Sequence, residues 1–243
     1  MKPVLELLSV KPFSVVGHRG SKDECPENTL PCLRRALEEG ADAVEFDVRA
    51  TKDGHLILLH DETFERVAGL PLRPSDLTLE EVRAKVRVFG TEVVPTLEEA
   101  LGLVKEFQKA ALVEVKEPPT VEKVLRTLEG LNCSDLTAVI SFYPEALRRV
   151  KELRPDQTAG LIYSKPSSAI SEAKKMGLEL VLPRWPLATP KAVAFAHRLR
   201  LKVVVWVVND ERSLKRTLEA GADALATDRV SWLVKKRAEL LQE

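Results

Sequence analysis

Histidine, cysteine and side-chain amides are scarce in this 243-residue chain, and neither sign of charge is in excess. Lys and Arg number 37, and so do Asp and Glu, for a formal net charge of zero. A general nucleic-acid or anionic-membrane binder needs surplus cations, so neither class fits, while a local patch of one sign stays open. No apolar run approaches the roughly 18 residues of a membrane span, so no integral membrane segment is expected. The start, Met1-Lys2-Pro3-Val4-Leu5-Glu6-Leu7-Leu8, is interrupted by Glu6 before a signal-peptide core develops, and a cytoplasmic location is the expectation. Three cysteines, Cys25, Cys32 and Cys133, are odd in number and lack a zinc-type CxxC spacing; unpaired thiols are expected. Asn and Gln occur three times each beside 30% charged residues, a pattern seen in thermophile proteins.

What the chain does contain is a rhythm. Eight short apolar runs read as strands: 14–17, 43–49, 111–116, 137–142, 159–163, 179–182, 203–208 and 224–227. Between them, sets such as Leu30, Leu33, Ala36, Leu37 and Leu97, Ala100, Leu101, Val104 place an apolar stripe on one helical face. Strand then helix, repeated, predicts a parallel sheet. Leu37-Glu38-Glu39-Gly40-Ala41-Asp42-Ala43 and Leu218-Glu219-Ala220-Gly221-Ala222-Asp223-Ala224 are copies of one helix-to-strand joint, and Gly177 to Leu182 is a looser third. Such reuse at both ends of the chain favours a closed (β/α)8 TIM barrel of the usual length, about 250 residues, over an open doubly wound sheet. The chain is read as one domain, 1–243. The rhythm breaks once. Lys52-Asp53-Gly54 is a turn signal, His55 to His60 reads as a further short strand, and residues 61–94 delay the next helix. That helix is predicted to start at Thr96 with Glu99 as its capping-box partner, and Thr78 to Lys85 reads as a small helix within the insertion.

Barrel chemistry sits at the C-terminal strand ends. Those ends carry Gly17-His18-Arg19-Gly20, then Glu45 and Asp47, then Glu114 and Lys116. Residues two apart share a face, so Glu45 joins Asp47 and Glu114 joins Lys116. Three crowded carboxylates either recruit a cation or form buried salt bridges with Lys116, Arg49 and Arg19. Without Cys or His in the set, oxygen ligation suits Mg²⁺ or Ca²⁺ rather than zinc. Of the four histidines, His197 lies in a helical stretch as a surface or packing residue, and His55 is expected to be solvated. His18 and His60, at strand ends, offer a general base and a general acid near neutral pH.

Taken in order, Gly17-His18-Arg19-Gly20, Pro26-Glu27-Asn28-Thr29, Glu45-Phe46-Asp47-Val48, Thr51-Lys52-Asp53-Gly54, His60-Asp61, Val94 to Glu99, Glu114-Val115-Lys116 and Trp206 to Asn209 resemble the signature of the glycerophosphodiester phosphodiesterase family. The resemblance spans nearly the whole chain. It departs after His60-Asp61, where many relatives carry a longer Thr- and Gly-rich stretch and Glu62 to Arg73 is compact. It implies a (β/α)8 barrel with a small insertion after the second strand, one divalent cation on Glu45, Asp47 and Glu114, and hydrolysis of a small-molecule glycerophosphodiester to glycerol 3-phosphate and an alcohol. It implies His18 and His60 as the acid and base, Arg19 and Lys116 near the phosphate, and Phe142 and Trp206 lining the glycerol pocket. Asn28 is expected either to cap the first barrel helix or to orient His18. Two other readings share the same residues: a phosphodiesterase acting on lysophospholipids, and a barrel that binds phosphorylated ligands without turnover.

Overall fold

The computed structural model describes residues 2–242. Nine strands run in the order β1 (Ser14–His18), β2 (Ala43–Ala50), β3 (Leu56–Leu58), β4 (Ala110–Val115), β5 (Thr137–Ser141), β6 (Ala159–Tyr163), β7 (Leu180–Pro183), β8 (Lys202–Val205) and β9 (Ala224–Thr227). Eight of them pair in parallel and the sheet closes where β1 meets both β9 and β2. The architecture is a (β/α)8 barrel. β3 is the exception: it runs antiparallel to β2, with Val48 opposite Leu58.

Alternation along β2 shows how the sequence makes two cores. Val44, Phe46 and Val48 point outward into the apolar layer beneath the helices, while Ala43, Glu45 and Asp47 face the barrel interior. The interior is filled from below by Val16, Ala110, Leu112, Ile140, Leu180 and Ala224. Helix α1 (Pro3–Leu7) contributes Val4, and Leu8 follows it, both fully buried against this inner cluster, so the bottom of the barrel is plugged.

The repeated joint has a physical reason. Gly40 and Gly221 sit at φ 101° and 77°, a left-handed turn that L side chains rarely adopt and that ends α2 (Leu30–Glu38) and a second helix, Glu211–Ala220. The acid that follows accepts a hydrogen bond from the neighbouring strand's first residues. Asp42 Oδ2 takes Val15 N at 2.8 Å and Asp223 Oδ2 takes Val203 N at 2.8 Å. In the looser copy, Glu179 Oε2 takes Ala159 N at 2.9 Å. Each acid also meets a cation: Arg237, Lys202 and Lys151 respectively. His197, 2.8 Å from Asp223, therefore belongs to this structural layer.

Residues 61–94 pack onto the barrel through a small cluster of their own. Phe64, Val67, Leu77, Val82, Val86, Val88 and Val94 join Ile57 and Leu59 in it. The short helices α3 (Glu65–Ala68) and α4 (Leu79–Lys85) lie here, and Thr78 and Glu81 form a capping box on α4. Thr96 and Glu99 do the same at α5 (Leu97–Phe107), as expected. The expectation of three unpaired thiols is corrected. Cys25 and Cys32 form a disulfide, with Cα atoms 5.3 Å apart, and only Cys133 is free. The loop after β1 folds back on α2, where Ser21 N donates to the Cys32 carbonyl at 3.3 Å, and this brings the two sulfurs together.

Candidate active site

Register sets the geometry. Asp47 of β2 lies opposite Glu114 of β4, and Glu45 lies opposite His18 of β1. The Glu45 and Asp47 carbonyls point along one edge of β2, which β1 leaves after His18. Arg19 N donates to the Glu45 carbonyl at 2.8 Å, and Leu59 N takes over at the Asp47 carbonyl at 3.1 Å. This handover from β1 to the end of β3 is what delivers His60 to the same barrel mouth as His18. Gly20, at φ 96°, completes the turn; a Cβ there would meet the Cys32 backbone at 2.7 Å.

Glu45, Asp47 and Glu114 are all buried, and their carboxylate oxygens lie within 4.8 Å of one another. The salt-bridge reading is met only in part. Lys116 Nζ sits 2.8 Å from Glu114 and 3.5 Å from Asp47, and Arg19 Nε is 3.2 Å from Asp47. Arg49 is elsewhere, on Glu117 at 3.3 Å and on the His60 carbonyl at 2.9 Å. Glu45 gains the Arg19 backbone N–H at 3.2 Å and, among the described residues, no ion pair with a Lys or Arg side chain. Glu45 Oε1 and Asp47 Oδ1 are buried and accept no hydrogen bond. Two orphaned carboxylate oxygens beside a third carboxylate, with oxygen the only donor type, fit a hard divalent cation.

The charges respond accordingly. Burial, with Asp47 and Glu114 adding repulsion, pushes Glu45 well above the usual carboxylate range. Burial and Asp47 raise Glu114 to about 7, against Lys116. Burial works against Asp47 too, yet Arg19 and Lys116 hold it well below its ordinary value. The sign for stability follows from Glu45 and Glu114. Their folded forms keep protons that the unfolded chain releases near pH 4.5, so these two acids withdraw stability from the cation-free protein as pH rises above about 4.5, while His18 and His60, with lowered pKa, add stability as pH rises toward 6.5. In differential scanning with chelator, the change in Tm from pH 5 to pH 8 should be more negative for the unaltered protein than for Glu114→Gln, and added Mg²⁺ or Ca²⁺ should raise Tm more at pH 8. The same pH dependence of Tm in the two proteins would contradict the crowding of the two acids.

Each histidine is held by an acid. His18 Nδ1 lies 2.7 Å from Asp228 Oδ1, and its Nε2 faces Glu45 Oε2 at 3.9 Å. Asp228 is itself fixed by Asn209 Nδ2 at 2.8 Å. His60 Nδ1 lies 2.7 Å from Asp61 Oδ1, and Asp61 is clamped by Arg66 Nε at 2.7 Å. Arg66 also grips Glu27 at 2.6 and 3.1 Å, and Glu27 accepts from Arg19 at 3.1 Å. One chain of contacts thus joins the insertion to both His60 and Arg19. Burial lowers the pKa of both histidines, opposed by Asp228 at His18 and by Asp47 and Asp61 at His60.

A cavity of about 140 Å³ opens between these groups, lined by His18, Arg19, Glu45, His60 and Glu114, with Phe142 and Trp206 at its edge. The two rings meet edge to face at 5.7 Å, and Trp206 Nε1 donates to the Leu182 carbonyl at 2.7 Å. Lys116 Nζ lies 6.0 Å from the Phe142 ring centre. The structure brings His18, Arg19, Glu45, His60, Glu114, Phe142 and Trp206 to one cavity, with Asp47 and Lys116 beside Glu114. Asn28 is the correction: it neither caps α2, where Thr29 holds that position, nor touches His18. Its Nδ2 donates to Asp47 Oδ2 at 3.0 Å and its Oδ1 accepts from Asp47 N at 3.3 Å. A left-handed backbone at φ 54° turns the side chain down toward β2. Sequence reasoning missed Asp228, although it follows the last strand and the strand-end rule reaches it, and missed Arg66, for which no local signal exists.

The model of the glycerophosphoryl diester phosphodiesterase family matches residues 18–231. The chain belongs to this family. A glycerophosphodiester phosphodiesterase of Caldanaerobacter subterraneus subsp. tengcongensis is 31% identical, with 88% of this chain and 93% of that one covered. One from Bacillus altitudinis is 28% identical, covering 93% and 98%. Among solved structures, an Oleispira antarctica phosphodiesterase in complex with the product sn-glycerol-3-phosphate superposes with a TM-score of 0.85 at 24% identity, covering 93% of this chain and 96% of that one. At that identity the likeness shows the phosphodiesterase family's fold. Among the described residues no helix is long and apolar enough to cross a membrane.

Proposed function

We propose that this chain, a phosphodiesterase of that family, hydrolyses deacylated phospholipids such as glycerophosphocholine or glycerophosphoethanolamine to sn-glycerol 3-phosphate and an alcohol. The observation that carries the reading is the pairing of two acid-anchored histidines across one cavity from three buried carboxylates. Glu45, Asp47 and Glu114 would hold one Mg²⁺ or Ca²⁺ ion, which when bound supplies positive charge to the phosphate oxygens. Arg19 and Lys116, each already on Asp47, present further positive charge to the anion.

Proton handling falls to the histidines. An acid on Nδ1 fixes that nitrogen as the N–H and leaves Nε2 of a neutral ring as a base. His18, the more buried of the two and beside Glu45, is assigned as the base that takes the proton of a water or of the substrate's glycerol 2-hydroxyl. His60, one-third exposed at the rim, is assigned as the acid that gives its proton to the leaving alcohol oxygen. Phe142 and Trp206 form the apolar wall for the glycerol carbons. Residues 1–243 act as one barrel unit with the insertion at 61–94 supporting His60.

Incubating the purified protein with glycerophosphocholine and Mg²⁺ or Ca²⁺ should release glycerol 3-phosphate. Faster turnover of lysophosphatidylcholine micelles, or no product with either metal, would overturn the assignment. Asp228→Asn should lower kcat about a hundredfold with little change in KM, because an amide no longer fixes the His18 tautomer. An unchanged kcat would remove Asp228 from the orienting role.

A further inference from the structure

We propose that the barrel mouth carries a second subsite, beside the phosphate site, that selects leaving groups bearing their own negative charge. The inference rests on the proposed phosphodiesterase reading and concerns the half of the substrate that reading leaves undefined. Ser164, Arg184, Trp185, Trp206 and Val207 line a cavity of about 350 Å³ that follows β6, β7 and β8. Trp206 lines this cavity and the catalytic one alike, so the two lie side by side at the barrel mouth. Trp206 is fixed: its Nε1 is tied to the Leu182 carbonyl, its ring meets Phe142 edge to face, and Trp185 N donates to the Trp206 carbonyl at 2.7 Å. A phosphodiester bound at the histidines with its glycerol against Phe142 has its second ester arm free to cross Trp206 into this space.

The charge of that space is one-sided. Arg184 is exposed and, among the described residues, has no ion pair or side-chain hydrogen bond. Arg212 and Arg216 place their guanidinium carbons 5.8 and 6.0 Å from the Trp185 ring centre. The acids nearby in sequence are engaged elsewhere. Asp210 caps its helix by accepting from Ser213 N at 2.7 Å, and Glu211 pairs with Lys236 at 2.7 Å. One guanidinium, Arg184, lines the cavity, two more stack over the Trp185 ring that also lines it, and among the described residues no carboxylate does, so the space repels a quaternary ammonium and attracts a carboxylate or phosphate. A choline head group would find aromatic faces here, but the cations stacked on Trp185 already occupy that role.

The test is a comparison of kcat/KM for glycerophosphoserine, glycerophosphoglycerol 3-phosphate and glycerophosphocholine with Mg²⁺ present, read as loss of the diester because the leaving group of the second is itself a glycerol phosphate. The two anionic substrates should exceed glycerophosphocholine by about tenfold, the serine compound reporting a carboxylate and the other a phosphate. Arg184→Glu should lower the anionic-to-choline ratio by at least about tenfold, mainly through KM, and Arg184→Lys should restore most of it. A choline preference in the unaltered protein, or an unchanged ratio in Arg184→Glu, overturns the subsite while leaving the phosphodiesterase reading intact. Absence of turnover on all three substrates overturns both.

Discussion

Replacing His18 with alanine should lower glycerophosphodiester turnover by about three orders of magnitude, within the range expected when a positioned general base is removed. Among the described residues the imidazole is the one side chain that links Asp228 to the carboxylate cluster: Nδ1 on the one, Nε2 facing Glu45 on the other. Alanine supplies no proton acceptor at that point. The fold should survive, because Asp228 keeps Asn209 at 2.8 Å and Lys22 at 3.5 Å. Steady-state kinetics with saturating Mg²⁺, together with an unaltered thermal transition, separate lost chemistry from lost structure. Turnover equal to that of the unaltered protein would refute the acid-base assignment even though the family stands.

Asp47→Asn should cost at least as much, and for a different reason. Asp47 is the charge on which Arg19, Lys116 and Asn28 converge. It is also the carboxylate held ionised while its neighbours take up protons. Removing its charge leaves two cations facing two acids that both resist ionisation. Cation affinity should fall at least about tenfold, and kcat/KM about a thousandfold at fixed metal. Calorimetric titration of chelator-treated protein with Mg²⁺ or Ca²⁺ measures the first independently of activity. Metal affinity unchanged by the substitution would take Asp47 out of the ligand set.

How much of this was written in the sequence depends on whether the signal is local. Strand-end chemistry was legible because alternation puts Glu45 with Asp47 on one face and register then puts Glu114 opposite. The glycine joints were legible because a left-handed turn restricts what residue can stand there. Arg66 was not, because its value comes from a contact 39 residues away, with Glu27. The cysteine argument failed for a related reason: counting thiols over the whole chain ignored a loop that folds back on the next helix within seven residues. Asn28 was seen but misassigned, since its motif position suggested a cap and its backbone conformation aims it at β2 instead.

The handover at β2 makes the excursion at 61–94 a poor site for grafting. Leu59, which carries the handover, is packed in the insertion's own cluster with Phe64, Val67 and Val94. Exchanging that segment for another family member's loop would move Leu59, and with it the register of His60 against Asp47. Engineers seeking new substrates would do better to leave the segment whole and redesign the rims after β6 and β7.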